Sequence, residues 1–142
     1  MKHSLSLLLF ICVALIGGCV SQNHEVPGAV TLGALAVRVP SLLGMEGSLR
    51  DVRIYVDGRF VGNYEPDETV LRLAAGSHTV KVEVPSVYAR RGLPNGNTEI
   101  RTYALKGEEH IEILGGDSKQ SLVFNDQNLK SKEIEPLDNP EP

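Results

Sequence analysis

Apolar residues recur at every second position through most of this chain, from Gly33 to about Asn125. The alternation is clearest in Leu35–Val39, Val52–Val56 and Val80–Val84. A period of two is typical of half-buried strands, and no stretch after residue 20 shows the 3.6-residue period of a helix. Because each sheet must bury its apolar face on another layer, seven or eight such strands predict an all-β fold, a single antiparallel β-sandwich.

Turn-forming residues divide these strands from one another. Asp57-Gly58 lies between two of them and is among the strongest short signals for a tight hairpin. Pro85 to Asn97 is predicted to be a long polar loop, since it carries two prolines and an Asn-Gly pair. Glycines at 107, 115 and 116 are predicted to separate the last three strands, Thr98–Lys106, Glu109–Leu114 and Gln120–Asn125.

Length and composition set the domain boundaries. A chain of 142 residues is enough for one domain, and the alternating region places the β-sandwich domain at residues 33–125. Residues 126–142 are rich in charge and proline, so they are predicted to form a disordered acidic C-terminal tail. The formal net charge is −4 and no basic stripe is visible, so we expect no binding to nucleic acid.

The first 19 residues have the layout of an export signal. Lys2 and His3 precede an apolar run from Leu5 to Ile16, which is shorter than the roughly 20 residues that cross a bilayer as a helix. The following Leu15-Ile16-Gly17-Gly18-Cys19 resembles the lipobox of bacterial lipoproteins, and this resemblance implies cleavage before Cys19 and acylation of its sulfur. The alternatives are a retained anchor helix and ordinary signal cleavage that leaves Cys19 as a free thiol.

The lipoprotein resemblance divides the N-terminal region and gives it a location. Residues 1–18 would be a lipoprotein signal peptide, and residues 19–32 the lipidated N-terminus and a flexible tether. Stable anchoring needs more than one acyl chain, and the class carries two or three. Val20 rather than aspartate follows Cys19, which favours the outer membrane, facing the periplasm, if the source has two membranes. The covalent lipid is the only cofactor expected.

A second resemblance covers about residues 33–114. The run Val52–Asn63 resembles the first hairpin of PEGA domains, and Ala75–Val82 matches a second run of that family in order and spacing. Ile100 to Ile113 would supply the final hairpin. The resemblance implies a PEGA-like or transthyretin-like sandwich of the bacterial envelope, acting in attachment or protein contacts without catalytic residues. The Pro-Glu-Gly-Ala signature is absent, and Ser41–Arg50 is an insertion.

This insertion is one candidate contact region. It carries Leu42, Leu43 and Met45 in a glycine-containing segment. An exposed apolar patch on a soluble domain often marks a docking surface. The alternative is that the segment folds over an open end of the sandwich and plugs the core.

Tyr88, Arg90 and Arg91 form a second candidate contact region. They lie together in the predicted loop before Asn97. Tyrosine and arginine are enriched at interface hot spots, and recognition residues are common on loops. The alternative is an ordinary solvated loop.

No catalytic or metal site is predicted. His24, His78 and His110 show no ligand spacing, Asp57 already serves the tight turn, and no serine lies in a Gly-x-Ser-x-Gly elbow. Convergence of His78, His110 and a carboxylate in space would reopen the enzyme hypothesis.

The sequence therefore predicts a non-enzymatic envelope lipoprotein. Its sandwich would bind another envelope protein, as an adaptor or accessory subunit of an envelope assembly. The alternative is a module that binds peptidoglycan or another glycan, for which outward tyrosines would form a platform: Tyr55, Tyr64 and Tyr103.

Overall fold

A computed structural model of the protein describes residues 30–66 and 69–135. The predicted signal peptide, Cys19 and most of the predicted tether lie outside the described residues. Asp67, Glu68 and residues 136–142 lie outside them too.

Eight strands form two sheets, and the described residues contain no α-helix. The smaller sheet has the order β4-β1-β7 and the larger one the order β3-β2-β5-β6-β8. A 3₁₀ turn, Leu49–Asp51, precedes the second strand. The predicted all-β sandwich of seven to eight strands is confirmed, with these bounds: β1 Leu32–Arg38, β2 Arg53–Val56, β3 Arg59–Asn63, β4 Val70–Ala74, β5 Gly76–Gly92, β6 Thr98–Ile113, β7 Lys119–Val123 and β8 Leu129–Ile134.

One strand pair departs from the antiparallel prediction. β1 pairs with β4 antiparallel but with β7 in parallel, from Ala34 opposite Lys119 to Arg38 opposite Val123. A parallel pair cannot be joined by a short hairpin and needs a long connection. Here that connection is the chain from β2 to β6, which supplies four strands of the larger sheet and β4 of the smaller one.

The core lies between the two sheets and consists of the alternating residues that the sequence predicted to face inward. Leu35 and Val37 of β1 face Ile54 of β2 and the valines of β5 across it, all of them buried. Phe124, which follows β7, and Leu105 of β6 belong to the same core. The two-residue period therefore separates the inner from the outer face of each strand, as expected.

The predicted Asp57-Gly58 hairpin is confirmed. It joins β2 to β3, with Val56 opposite Arg59. Asp57 and Gly58 have φ angles of 50° and 78°. A type I′ turn requires positive φ at both central residues, which is why asparagine or aspartate followed by glycine favours it.

The predicted loop from Pro85 to Asn97 is wrong, since β5 continues to Gly92. The register of β5 against β6 shifts between Val84 and Val87, so Pro85 lies in a bulge. A bulge leaves a residue outside the ladder of hydrogen bonds, and proline has no N–H to donate to it. The link between β5 and β6 is short, residues 93–97, and contains the Asn95-Gly96 turn.

Gly107 was predicted to end a strand, but it lies inside β6. A Cβ atom there would approach the Phe124 ring to 2.7 Å and the Asn128 carbonyl oxygen to 3.0 Å. The glycine is therefore needed for close packing, which is another common reason for glycine inside a strand.

The predicted tail from 126 to 142 is also wrong for its first part. Leu129–Ile134 forms β8, which pairs with β6 from Gly107 to Thr102. Leu129 is the strand's only buried residue. The other five are exposed, and backbone hydrogen bonds hold them at the edge of the sheet. Because they need not be apolar, the sequence of this strand shows no alternation.

Candidate functional site

The sandwich has two ends with different contents. The N-terminal pole contains the start of β1, where Leu32 lies opposite Ala74, and the start of β5, where Gly76 lies opposite Ile113. The distal pole contains the insertion of residues 41–50, whose Glu46 bridges to β5. The chain therefore enters the sandwich at one end, and both predicted contact regions lie at the other.

The last part of the β5–β6 hairpin projects at the distal pole. β5 and β6 have 17 and 16 residues, whereas the other strands have four to seven. Val87 is the last buried residue of β5, and no residue from 88 to 102 is buried. We call residues 88–102 the β arm. An isolated two-stranded ribbon is marginal in water, so the arm depends on the sandwich at its base.

The insertion plugs the core at the base of the arm. Leu42 is only 5% exposed and belongs to the core cluster, while Leu43 and Met45 are half-buried against it. Gly47 packs closely, since a Cβ atom there would lie 3.0 Å from Leu42 and Val87 side-chain atoms. Leu42 is therefore not available to a partner, and its prediction as a contact residue is wrong.

Glu46 brings the two predicted contact regions together. Its backbone exchanges two hydrogen bonds of 2.8 Å with Tyr88, and its carboxylate lies 2.9 Å from Arg90 Nε. Both partners of this ion pair are exposed, so its contribution to stability is small. The pair orients the first residues of the arm against the insertion.

The outward face of the arm is partly apolar. Tyr88 lies opposite Thr102, which lies opposite Ile134, and Arg90 lies opposite Ile100 in the next row. Directly opposed residues share one face of a sheet. Ile100 is 58% and Tyr88 45% exposed. Arg91 is one residue out of phase and lies on the other face.

Sequence reasoning missed Ile100 and Ile134 as members of this surface. Ile100 was assigned to a strand of the sandwich, and Ile134 to the disordered tail. The sequence pattern placed Ile100 in a strand but could not show that this strand extends beyond the core, and nothing in the composition of residues 126–142 predicted that Ile134 would join a sheet.

Polar side chains converge at the N-terminal pole, which meets the condition set for reconsidering catalysis. His78 Nδ1 lies 2.7 Å from Asp57 Oδ2, and His110 Nδ1 lies 2.9 Å from Thr79 Oγ1. The Ser77 hydroxyl donates to the Glu112 carboxylate. All six residues therefore line one depression, at the start of β5 and the end of β6.

The hydrogen bonds of this cluster engage both ring nitrogens of His78 and the hydroxyl of Ser77. His78 Nε2 lies 2.7 Å from the carbonyl oxygen of Ala74. Both ring nitrogens thus face acceptors, so the doubly protonated imidazolium satisfies both, and no lone pair is left for a general base. The Ser77 hydroxyl faces a carboxylate rather than an imidazole. Within the described part of the chain, no group of three or more potential ligands could hold a metal ion.

The pKa values of Asp57 and His78 move apart in the folded protein. The Thr79 N–H, which donates to Asp57 Oδ1 at 2.9 Å, and the His78 ring lower the pKa of Asp57. The Asp57 carboxylate and then the Ala74 carbonyl raise the pKa of His78. Both shifts favour the charged forms, which indicates a structural ion pair.

The three tyrosines do not form a glycan platform. Tyr64 is buried in the core. Tyr55 lies opposite Lys81 on the outer face of the larger sheet, whereas Tyr103 lies opposite Val87 on the inner face. Lys81 Nζ lies 4.6 Å from the centroid of the Tyr55 ring, and the Phe60 ring packs against it in a T-shaped arrangement with the two ring centroids 5.6 Å apart.

Comparisons with protein-family models, with curated proteins and with solved structures gave no significant match. Residues 30–66 and 69–135 include no helix with the length and apolar character needed to cross a membrane.

Proposed function

We propose that this protein is a non-enzymatic bacterial envelope lipoprotein, an adaptor whose β arm binds another envelope protein. The lipid on Cys19 would hold it at the membrane, and the PEGA-like sandwich would carry the arm. The lipobox-like residues before Cys19 and the hairpin motifs support this proposal from the sequence.

The single observation that carries the proposal is the β arm. The arm extends beyond the core, and none of its residues is buried against the described part of the chain. Aromatic and arginine side chains are enriched at interface hot spots, and aliphatic side chains add apolar contact area beside them. Tyr88, Arg90 and Ile100 supply these three kinds of side chain on one face.

The position of the arm fits a tethered adaptor. Leu32 begins β1 at the N-terminal pole, 13 residues after Cys19. A chain of that length spans at most about 45 Å. The arm lies at the opposite end of the sandwich, so a partner can reach it without displacing the anchored end.

The polar cluster at the N-terminal pole supports the non-enzymatic part of the proposal. Both ring nitrogens of His78 are engaged, by the Asp57 carboxylate and the Ala74 carbonyl oxygen, and the Glu112 carboxylate accepts from Ser77. We infer that the cluster closes that end of the sandwich rather than acting on a substrate.

Site-specific crosslinking in living cells tests the proposal. A photoreactive residue at Ile100 should crosslink one envelope protein, because Ile100 lies at the centre of the exposed arm. The matched control is Lys106, which lies on the same strand and the same face but over the sandwich, with its side chain 69% exposed. Double substitution of Tyr88→Ser and Arg90→Ser should abolish the crosslink from Ile100.

Two results would contradict the proposal. Equal crosslinking from Ile100 and Lys106 would mean that the arm has no special role. Co-sedimentation of the protein with purified, protein-free cell-wall sacculi, with no crosslink from the arm, would favour the glycan-binding alternative.

A further inference from the structure

The outer face of the smaller sheet combines cations with exposed apolar residues. Leu35 and Val37 face the core, so the alternate residues of β1 face outward, among them Leu32 and Arg38. Residues of β4 and β7 that lie opposite these positions share their face. We call this surface the cationic face, and its large side chains are Leu32, Arg38, Val70, Arg72, Lys119 and Val123.

The charge of this face is one-sided. No outward position of β1, β4 or β7 carries an acidic residue, although the chain as a whole has a net charge of −4. Among residues 30–66 and 69–135, no ion pair includes Arg38, Arg72 or Lys119. The outer face of the larger sheet differs, since Lys81 and Lys106 both pair with Glu83, at 3.1 and 3.5 Å.

Apolar side chains lie between these cations. Leu32, Val70 and Val123 are 48%, 41% and 40% exposed. They surround Ala34 and Ala36, whose small side chains leave the middle strand lower than its neighbours. A surface with cations for phosphate groups and aliphatic side chains for the acyl boundary fits the interface of an anionic bilayer.

β1 connects the cationic face directly to the predicted tether. β1 is the first strand after the predicted tether, and Leu32 is both its first residue and part of the cationic face. We propose that the cationic face lies against an anionic lipid surface. This inference rests on the lipid anchor of the proposed function and adds the orientation of the sandwich on the membrane.

In this orientation the β arm, the proposed partner-binding surface, does not face the membrane. The larger sheet, which carries the arm, would be the outer layer, about 10 Å further from the lipid. The arm would extend along the membrane from the end of the sandwich opposite the tether.

Fluorescence of a single labelled cysteine tests the orientation. The sequence has only Cys12 and Cys19, so an introduced cysteine would be the only free thiol of a processed, acylated chain. An environment-sensitive dye at Ser121→Cys, on the cationic face, should shift to the blue in vesicles of phosphatidylcholine with phosphatidylglycerol. It should not shift in phosphatidylcholine alone, and high salt should reverse the shift. The same dye at Lys106→Cys, on the other sheet, should not respond.

Charge reversal supplies the second test. Arg72→Glu with Lys119→Glu should remove the dye shift in anionic vesicles, whereas Lys106→Glu with Lys130→Glu should leave it. Equal responses of the two double variants would overturn the proposal, as would an equal dye shift in both kinds of vesicle.

Flotation of an unlipidated chain separates this proposal from the lipid anchor. Residues 19–142 with Cys19→Ser contain the whole sandwich and should float only with anionic vesicles. Their apparent affinity should fall on the order of fivefold for each cation of the face that is removed. If mass spectrometry shows that Cys19 is not acylated, the proposed lipid anchor is wrong. This flotation experiment would still test whether the cationic face binds an anionic lipid surface. Flotation that is absent, or that does not depend on these cations, would contradict it.

Discussion

Asp57 and His78 form a 2.7 Å ion pair that joins the β2–β3 turn to the start of β5. The opposite side of the same imidazole ring contacts the Ala74 carbonyl oxygen, which belongs to the smaller sheet. One charged ring thus links the two sheets at the N-terminal pole, and its side chain is only 15% exposed. The link requires both ring nitrogens to be protonated.

Stability should therefore depend on pH through this pair. The pKa of His78 is raised above its ordinary 6.5, so its contribution is complete below 6.5 and is lost as pH rises through the folded-state value. The pKa of Asp57 is lowered below its ordinary 3.8, so its contribution is complete above 3.8 and is lost as pH falls through the folded-state value. Thermal unfolding from pH 3 to 9 should show the pair's largest contribution between 3.8 and 6.5.

A histidine elsewhere in the cluster provides the control for this pH dependence. His78→Gln should lower the melting temperature and remove most of the loss above pH 6.5. His110→Gln should keep that loss, because the His110 ring bonds the Thr79 hydroxyl and takes no part in the Asp57–His78 pair. If the two variants have the same pH profile, the Asp57–His78 pair is not its origin.

How much of the fold could be predicted from the sequence depends on the physical property that each sequence pattern reflects. Alternation reports burial on one face, so it identified the core of β1, β2 and the first half of β5. It could not reveal β8, because only Leu129 of that strand is buried, nor the parallel pairing of β1 with β7. The histidine-carboxylate cluster was missed because its members come from separate turns and strand ends, which only the folded topology brings together.

Pro85 and Gly107 were predicted to end strands, but both lie inside long strands. Substitution of Gly107 tests why a glycine is needed there. Gly107→Ala should destabilise the protein by about 1–3 kcal/mol, as overpacking in a core does, because the new methyl group would meet the Phe124 ring. Gly92→Ala is the matched control, since no atom lies within 4 Å of a Cβ atom there. Chemical denaturation measures both, and equal midpoints would show that the Phe124 contact does not constrain residue 107.

Leu42 should behave as a core residue rather than a contact residue. Leu42→Ala should lower the free energy of unfolding by about 2–5 kcal/mol, the range for a buried leucine. Ile100→Ala should change it by no more than about 0.5 kcal/mol, as for an exposed position. Urea unfolding of both variants decides the point. A small effect at Leu42 would mean that the insertion does not plug the core.

β8 should be an integral strand despite its polar composition. Leu129 is 2% exposed and anchors it, so Leu129→Ala should cost about 2–5 kcal/mol. Ile134→Ala, at the exposed end of the same strand, should have an effect within about 0.5 kcal/mol. Hydrogen exchange should also show protected amides in β6 opposite β8, from residue 102 to 107. Rapid exchange there, with a neutral Leu129→Ala, would return the segment to the predicted tail.

Substitution of Cys19 tests the proposed lipid anchor. Cys19→Ala should move the protein from the membrane to the soluble fraction, because the short apolar run of the signal cannot serve as a stable bilayer-spanning helix and two or more acyl chains would otherwise hold the chain. Ser21→Ala, two residues away in the tether, is the control and should leave the protein in the membrane fraction. Mass spectrometry of the unsubstituted protein should show an N-terminus at residue 19 with added acyl mass. Continued sedimentation of Cys19→Ala with membranes would show that another element of the chain holds it there.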